Sequence, residues 1–115
     1  MANQSFRESY SPDIPPYFDG NKYKMWKRKM EVFISAKDLE QWDIIIEGYN
    51  SPRDTNGFEI DDSLYMSSEQ AKIYSINNKA MNALTCALDI KFFNEISHCK
   101  STKEIWDTLE FIYET

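Results

Sequence analysis

The chain is predicted to be all-α, a compact bundle of about five helices with an extended N-terminal arm. Apolar residues recur at helical spacing in several separate stretches, which indicates amphipathic helices. No proline follows Pro52, so the second half of the chain contains none of the residues that most readily break a helix. The length of 115 residues suits one domain, and the 42% hydrophobic content supplies one core.

The N-terminal region divides into an arm and a hook. Residues 1–15 are polar and are predicted to form a flexible arm, and residues 16–115 are predicted to form the helical domain. The consecutive prolines favour extended backbone, from which Tyr17 and Phe18 are expected to pack as an aromatic hook. The turn sequence Asp19-Gly20-Asn21 follows, and its Asp or Asn is expected to cap the next helix.

The first helix is predicted over residues 21–36. Its apolar stripe consists of Tyr23, Trp26, Met30, Phe33 and Ile34. The run Lys27-Arg28-Lys29 is spread around the cylinder by helical geometry, and we interpret it as a solvated face rather than a binding patch.

A shorter second helix is predicted over residues 37–47, with Gly48 ending it. The side chains expected to share its buried face are Leu39, Trp42, Ile45 and Ile46. Residues 49–66 are predicted to be a long loop, which Phe58-Glu59-Ile60 is expected to hold against the body of the domain.

The third helix has the clearest start, because Ser67-Ser68-Glu69-Gln70 fits a capping box. Its apolar stripe predicts a helix over residues 68–88 and contains Ile73, Ile76, Ala80, Ala83, Leu84, Ala87 and Leu88. A short helix is expected over residues 89–97, with Phe92, Phe93 and Ile96 as its apolar side chains.

The last helix opens at a second capping box, Ser101-Thr102-Lys103-Glu104. Its apolar stripe consists of Ile105, Trp106, Leu109, Ile112 and Tyr113. Phe111 falls on the far side, where it is either an interface residue or one stray exposed aromatic. The helix has no stop signal, and we expect the chain to be a fragment of a longer protein.

The net charge and the absence of a recognisable signal sequence narrow the range of functions expected for the chain. The formal net charge is −6, so the chain alone is expected to be a poor binder of nucleic acid. No secretory signal is recognisable, and no apolar run approaches the ~20 residues that span a bilayer. We therefore predict a cytoplasmic location, with the nucleus as an alternative, and no membrane partner.

A search for catalytic and ligand-binding patterns predicts no catalytic, cofactor-binding or metal-binding residues, so the chain is not expected to be an enzyme. His98-Cys99 lacks the further ligands of a zinc site. As a nucleophile pair it also fails, because neighbouring side chains are expected to point apart. Each of the three Trp residues lies on a helical apolar stripe, which predicts a core position rather than a ligand-stacking one.

Two separated segments carry a family resemblance. The first runs from Phe18 through Gly20, Tyr23 and Trp26 and is followed by Leu39-Glu40-Gln41-Trp42. The second is Ser101-Thr102-Lys103-Glu104-Ile105-Trp106-Asp107-Thr108-Leu109, followed by Tyr113-Glu114. Together they resemble the N-terminal capsid region of the Gag polyprotein of plant copia-type LTR retrotransposons. The second capsid domain, the zinc knuckle and the enzymes of that family are absent from this sequence.

The resemblance implies a structural Gag domain that acts by self-association in particle assembly, with RNA bound only indirectly through the missing C-terminal regions. The alternative is a host-retained, Gag-derived module that binds another protein and has no transposition role. The residues that carry the motif and the expected core are Phe18, Gly20, Tyr23, Trp26, Trp42, Trp106 and Leu109, and Phe111 is the possible interface residue.

Overall fold

The structure is a computed structural model that describes residues 14–114. Helical residues make up 64% of this range, which contains no β-strand, and the all-α prediction is confirmed. The α-helices are α1 (Tyr23–Lys37), α2 (Leu39–Glu47), α3 (Ser68–Cys86), α4 (Phe93–Ile96) and α5 (Thr102–Tyr113). Two 3₁₀ helices cover Ser63–Tyr65 and Ile90–Phe92. The predicted arm falls mostly on residues 1–13, outside the described range.

Helix α1 begins two residues later than predicted, and the expected cap is not formed. The Asp19 carboxylate accepts a hydrogen bond from the Asn21 backbone N–H at 2.9 Å, which closes a turn ahead of the helix. Lys22 then takes the left-handed conformation with φ 55°, and no side chain among residues 14–114 caps α1. The prediction of an Asp19 or Asn21 cap is therefore wrong, because the Asp19 side chain bonds within the turn.

Helix α2 packs against α1, α3 and α5, but with a different face from the predicted one. Gln41 and Ile45 are buried, whereas Leu39 is 62% exposed and Ile46 is 44% exposed. The buried Gln41 amide has a polar neighbour, the Asp38 carboxylate at 3.4 Å, and a partnered polar group is tolerated in a core. The prediction that Leu39 and Ile46 face the core is therefore wrong.

Helix α3 starts at the predicted capping box. The Ser67 hydroxyl accepts from the Gln70 N–H at 3.1 Å, and the Gln70 side chain accepts from the Ser67 N–H at 2.9 Å. Ile73 at the start of the predicted stripe is 41% exposed, so the buried stripe begins at Ile76. The helix ends at Cys86, two residues earlier than predicted.

The cap of α5 is only half of the predicted capping box. The Ser101 hydroxyl accepts from the Glu104 N–H at 3.1 Å. The Glu104 carboxylate accepts from the Lys100 N–H at 2.9 Å, one residue before the cap. The reciprocal bond of a full box is thus displaced, although the helix starts at the expected position.

The segment between α3 and α5 buries two of its three predicted apolar side chains. Phe92 and Ile96 are buried, and Phe93 is 63% exposed. A 3₁₀ turn followed by a four-residue helix presents one narrow face, and positions 92 and 96 occupy it. The inward placement predicted for Phe93 is therefore wrong.

Residues 49–66 are ordered mainly by short-range hydrogen bonds. The Asp54 carboxylate accepts from the N–H groups of Asn56 and Phe58, and the Ile60 N–H donates to the Pro52 carbonyl at 2.8 Å. The Phe58 side chain is 69% exposed. The expectation that Phe58 holds this loop against the domain is therefore wrong.

The core lies between α1, α2, α3 and α5, with the hook at one end. Its buried members include Phe18, Tyr23, Trp26, Met30, Ile34, Ile45, Ala80, Leu84, Leu88, Phe92, Ile96, Ile105, Trp106 and Leu109. Trp42 is half-buried against this cluster rather than enclosed by it.

Candidate functional site

The hook is joined to the end of α3 by backbone hydrogen bonds. The Phe18 N–H donates to the Ala87 carbonyl at 2.7 Å, and the Asp89 N–H donates to the Phe18 carbonyl at 3.1 Å. These bonds form an isolated parallel β-bridge between Phe18 and Leu88. The early end of α3 supplies this bridge, because the residues after Cys86 leave the helical path to pair with the hook.

Two side chains fasten the hook further. The indole N–H of Trp26 donates to the Pro16 carbonyl at 2.8 Å, so this buried donor has a partner. The Tyr17 hydroxyl donates to the Asp89 carboxylate. This hydrogen bond raises the pKa of Tyr17 and lowers the pKa of Asp89, because it stabilises the neutral phenol and the charged carboxylate together.

Phe18 is the centre of an aromatic cluster that connects the two ends of the described chain. Its ring centroid lies 4.9 Å from Trp26, 5.2 Å from Phe92 and 5.2 Å from Tyr113. These distances lie in the range of favourable aromatic contacts. Because Phe18 is only 1% exposed, the cluster excludes water at its centre.

The cluster continues through the tryptophans. Trp26 and Trp106 have ring centroids 5.8 Å apart, and the half-buried Trp42 meets Trp106 edge-to-face at 5.3 Å. Leu109 is completely buried in the same core. Six of the seven predicted motif residues therefore have side chains that lie in the core or pack against it.

The seventh motif residue, Gly20, acts through its backbone. Its φ of 106° is in the region that side chains rarely adopt. A Cβ atom at this position would lie 3.3 Å from Cζ of Phe92. Gly20 therefore lets the chain turn from the hook into α1 while passing close to the cluster.

An ion-pair clamp covers the outer edge of the cluster. Lys27 Nζ lies 2.6 Å from a carboxylate oxygen of Glu110 and 2.6 Å from one of Glu114. The hydrogen bonds to Glu110 and Glu114 raise the pKa of Lys27, and the bond to Lys27 lowers the pKa of Glu114. Sequence reasoning missed this clamp, since nothing local in the run Lys27-Arg28-Lys29 indicates which cation meets α5.

Beneath the clamp, the Tyr23 hydroxyl is buried without a hydrogen-bond partner among the described residues. Burial raises the pKa of Tyr23 to about 12, since the charged phenolate would lose its hydration. Elsewhere in the interior, the Thr102 hydroxyl donates to the Asn77 side-chain oxygen at 3.2 Å. This buried pair ties α5 to α3.

Phe111, which the sequence suggested as a possible interface residue, lies outside the core. It is 86% exposed and lies opposite the buried face of α5. The neighbouring surface positions are acidic and include Asp107 and Glu114. Its position leaves it available for contact with another molecule.

An apolar groove of about 370 Å³ lies between the end of α3 and the start of α5. Its lining includes Met81, Leu88, Ile90, Phe93, Ile96 and Ile105. Two of these lining residues are largely exposed: Phe93 is 63% exposed and Ile90 is 87% exposed. Neither side chain was predicted to line an exposed groove.

The described residues contain no group of three or more His, Cys, Asp or Glu side chains positioned to hold a metal ion. Cys99 Sγ lies 3.9 Å from His98 Nε2 and 3.6 Å from the Thr108 hydroxyl. The expectation that the His98 and Cys99 side chains point apart is therefore wrong. Among residues 14–114, no helix is both long and apolar enough to cross a membrane.

Comparisons with models of protein families, with curated proteins and with solved structures found no match to this chain.

Proposed function

We propose that this chain is a Gag capsid-like domain of a copia-type retrotransposon, which acts by binding further copies of itself during particle assembly. The proposal starts from the resemblance of two separated sequence segments to that family. It assigns the buried motif residues to the fold and the exposed helix faces to association.

The observation that carries the proposal is the contact between those two segments. Trp26, from the first segment, lies 5.8 Å from Trp106 of the second, measured between ring centroids. Phe18 meets Tyr113, which follows the second segment, at 5.2 Å. Residues that carry the resemblance, and that their apolar stripes also predicted to be core, thus build one packing unit, as expected if they mark a single capsid-like fold.

Association requires surface that the core does not use. Several large apolar side chains are exposed on helices, including Met25 on α1, Leu39 on α2 and Phe111 on α5. Surfaces through which proteins associate include exposed apolar side chains.

The charge of the chain supports a protein partner over RNA. With a net charge of −6, the domain repels a phosphate backbone. We propose that element RNA is held by regions of Gag outside this sequence, and that assembly takes place in the cytoplasm, with the nucleus as the alternative.

Sedimentation equilibrium over a concentration series up to about the millimolar range tests the proposal, because small interfaces bind weakly. The expected result is a weight-average mass that rises above the monomer value of 13.6 kDa as concentration increases. A mass that stays at the monomer value at every concentration would overturn self-association. Binding of RNA in a gel-shift assay, with a steep loss of affinity on adding salt, would instead favour a nucleic-acid-binding role.

A further inference from the structure

The loop 49–66 contains the single asparagine of the chain that is directly followed by glycine. Asn56 precedes Gly57, whereas every other asparagine precedes a residue that has a side chain. Glycine leaves its own backbone nitrogen sterically open, because it has no Cβ atom. The side-chain amide carbon of Asn56 and the backbone nitrogen of Gly57 are therefore the least hindered pair of this kind in the chain.

Both members of this pair are open to solvent. Asn56 and Gly57 are exposed, and a Cβ atom at Gly57 would meet nothing within 4 Å. Water and hydroxide ion can therefore reach both the amide carbon and the backbone nitrogen.

Other asparagines of the described range lack this combination. Four of them lie in helices, whose backbone holds the asparagine and the next residue in one conformation: Asn77, Asn78, Asn82 and Asn94. Asn50 lies in the same loop as Asn56 and is also exposed, but Ser51 follows it. Asn50 is therefore the matched comparison for Asn56.

Hydrogen bonds to Asp54 hold the pair in its unreacted geometry. The Asp54 carboxylate accepts from the Asn56 N–H at 2.9 Å, and the Asp54 carbonyl accepts from the Gly57 N–H at 3.0 Å. The second bond occupies the nitrogen whose proton has to leave before that nitrogen can attack a carbon atom. Reaction at Gly57 therefore requires this turn to open.

Opening of the turn does not require unfolding of the domain. The Ile60 N–H donates to the Pro52 carbonyl at 2.8 Å, and the Arg53 guanidinium donates to the Gly57 carbonyl at 2.8 Å. These bonds join residues within the loop, and the Phe58 side chain is 69% exposed. Exposed segments with few buried apolar contacts open at a low free energy. The folded protein can therefore reach the reactive geometry.

We propose that Asn56 is a site of spontaneous deamidation in the folded protein. Once the turn opens, the Gly57 nitrogen loses its proton to hydroxide ion and forms a bond to Cγ of Asn56. The bond between Cγ and Nδ2 breaks, and the amide nitrogen takes up a proton from water and leaves as ammonia. One water molecule then hydrolyses the cyclic imide at either carbonyl, which gives aspartate or isoaspartate at position 56.

The product changes the loop in two ways. The new carboxylate adds a negative charge next to Asp54 in a chain whose formal net charge is already −6. Isoaspartate also inserts its methylene group into the main chain, which displaces the Gly57 carbonyl from Arg53. The modified loop should therefore lose the hydrogen bond between Ile60 and Pro52, whereas the aromatic core should be unaffected because its contacts lie elsewhere.

Incubation of the folded full chain at mildly alkaline pH tests the proposal. Peptide mapping by mass spectrometry detects the exchange of an NH2 group for an OH group, and chromatography separates the two products. The rate at Asn56 should exceed that at Asn50 at least about tenfold, because the Cβ atom of Ser51 hinders its nitrogen. Equal rates at the two sites, or an Asn56 that stays intact while the chain unfolded in urea reacts, would overturn the proposal.

Two variants separate the chemistry from the turn. Gly57→Ala should slow conversion of Asn56 at least about tenfold. Because this variant also strains the turn at φ 87°, the comparison is made both in the folded chain and in urea, and an unchanged rate in urea would contradict the proposed attack. Asp54→Ala should speed conversion by a larger factor in the folded chain than in urea, since it removes the carboxylate that holds the turn. Equal factors would contradict the protective role of Asp54.

Hydrogen exchange of the incubated protein tests the consequence for the loop. The Ile60 amide should exchange faster after incubation than before it, and the Phe18 amide should exchange at an unchanged rate. Asn56→Gln is the control, because its longer side chain would have to close a larger ring. It should keep both its mass and the protection of Ile60. Equal loss of Ile60 protection in this control would show that the change does not arise from reaction at Asn56.

Discussion

The hook of Tyr17 and Phe18 and the loop 49–66 both lie outside the α-helices, yet they are ordered in different ways. Phe18 is 1% exposed and contacts residues from α1, the Ile90–Phe92 turn and α5. In the loop, Phe58 is 69% exposed and its backbone bonds within a few residues along the chain. Of these two phenylalanines, only Phe18, whose backbone is docked against the end of α3, contributes to the core.

The difference in burial should appear as a difference in stability. Trp106→Ala removes a side chain that is 3% exposed and contacts Trp26 and Trp42, and we expect it to lower the free energy of unfolding by about 3–5 kcal/mol. Phe58→Ala, its control in the loop, should change that free energy by less than about 0.5 kcal/mol. Urea denaturation followed by circular dichroism measures both, and equal midpoints for the two variants would contradict the comparison.

The two regions also offer a matched pair of glycines. Gly20→Ala must hold a side chain at φ 106° and bring Cβ within 3.3 Å of Phe92, so we expect a loss of about 2–3 kcal/mol in unfolding free energy. Gly57→Ala in the loop has φ 87° and nothing within 4 Å, so only the backbone strain remains, about 1 kcal/mol. Thermal melting of both variants tests whether Gly20→Ala is the more destabilising change. A larger loss of stability in Gly57→Ala would contradict this expectation.

Removing the unpaired hydroxyl should strengthen the buried region. Tyr23→Phe removes a buried hydroxyl that has no partner among the described residues, so the free energy of unfolding should stay the same or rise by up to about 1 kcal/mol. The pKa of Tyr23 is raised from its ordinary value of 10 to about 12, so the unfolded chain loses this proton first as the pH rises. Ionisation of Tyr23 in the unfolded state therefore reduces stability between pH 10 and pH 12.

Denaturation at pH 7 and at pH 10.5 measures the Tyr23 effect. The wild type should lose more stability between the two pH values than Tyr23→Phe does. Tyr65→Phe, which removes the hydroxyl of a side chain that is 76% exposed, is the matched control for loss of a phenol hydroxyl. An identical pH dependence in Tyr23→Phe and the wild type would show that Tyr23 ionises alike in both states.

An effect on stability as small as that of Phe58→Ala is expected at Phe111. Phe111→Ser replaces a side chain that is 86% exposed, and the free energy of unfolding should change by less than about 0.5 kcal/mol. Chemical denaturation measures this directly. A loss above about 1 kcal/mol would mean that Phe111 contributes to the core, and it would then resemble Trp106 rather than Phe58.

Local sequence signals predicted the positions of the helices better than they predicted which face of each helix is buried. The helix-starting bonds of Ser67 and Gln70 were predictable because the residues lie three apart in the chain. The burial of Trp26 and Trp106 follows from their positions on long apolar stripes. Contacts within one or two helical turns are fixed by sequence spacing, so pattern reasoning performs well there.

Two of the failures have a common cause in contacts between distant parts of the chain. Leu39 and Ile46 are exposed because three neighbouring helices approach α2 from the side of Gln41 and Ile45. No spacing rule within nine residues indicates that direction. The clamp between Lys27 and Glu110 was missed for the same reason, since it joins residues 83 positions apart.

The claim that the hook belongs to the core is tested most directly by native-state hydrogen exchange of two backbone amides. The Phe18 N–H is bonded to Ala87 across the domain, and the Ile60 N–H is bonded to Pro52 within the loop. We expect the Phe18 amide to exchange only through global unfolding, and the Ile60 amide to exchange through local opening at a clearly lower free energy. Exchange of the Phe18 amide as easily as that of Ile60 would contradict the claim and place the hook outside the cooperative core.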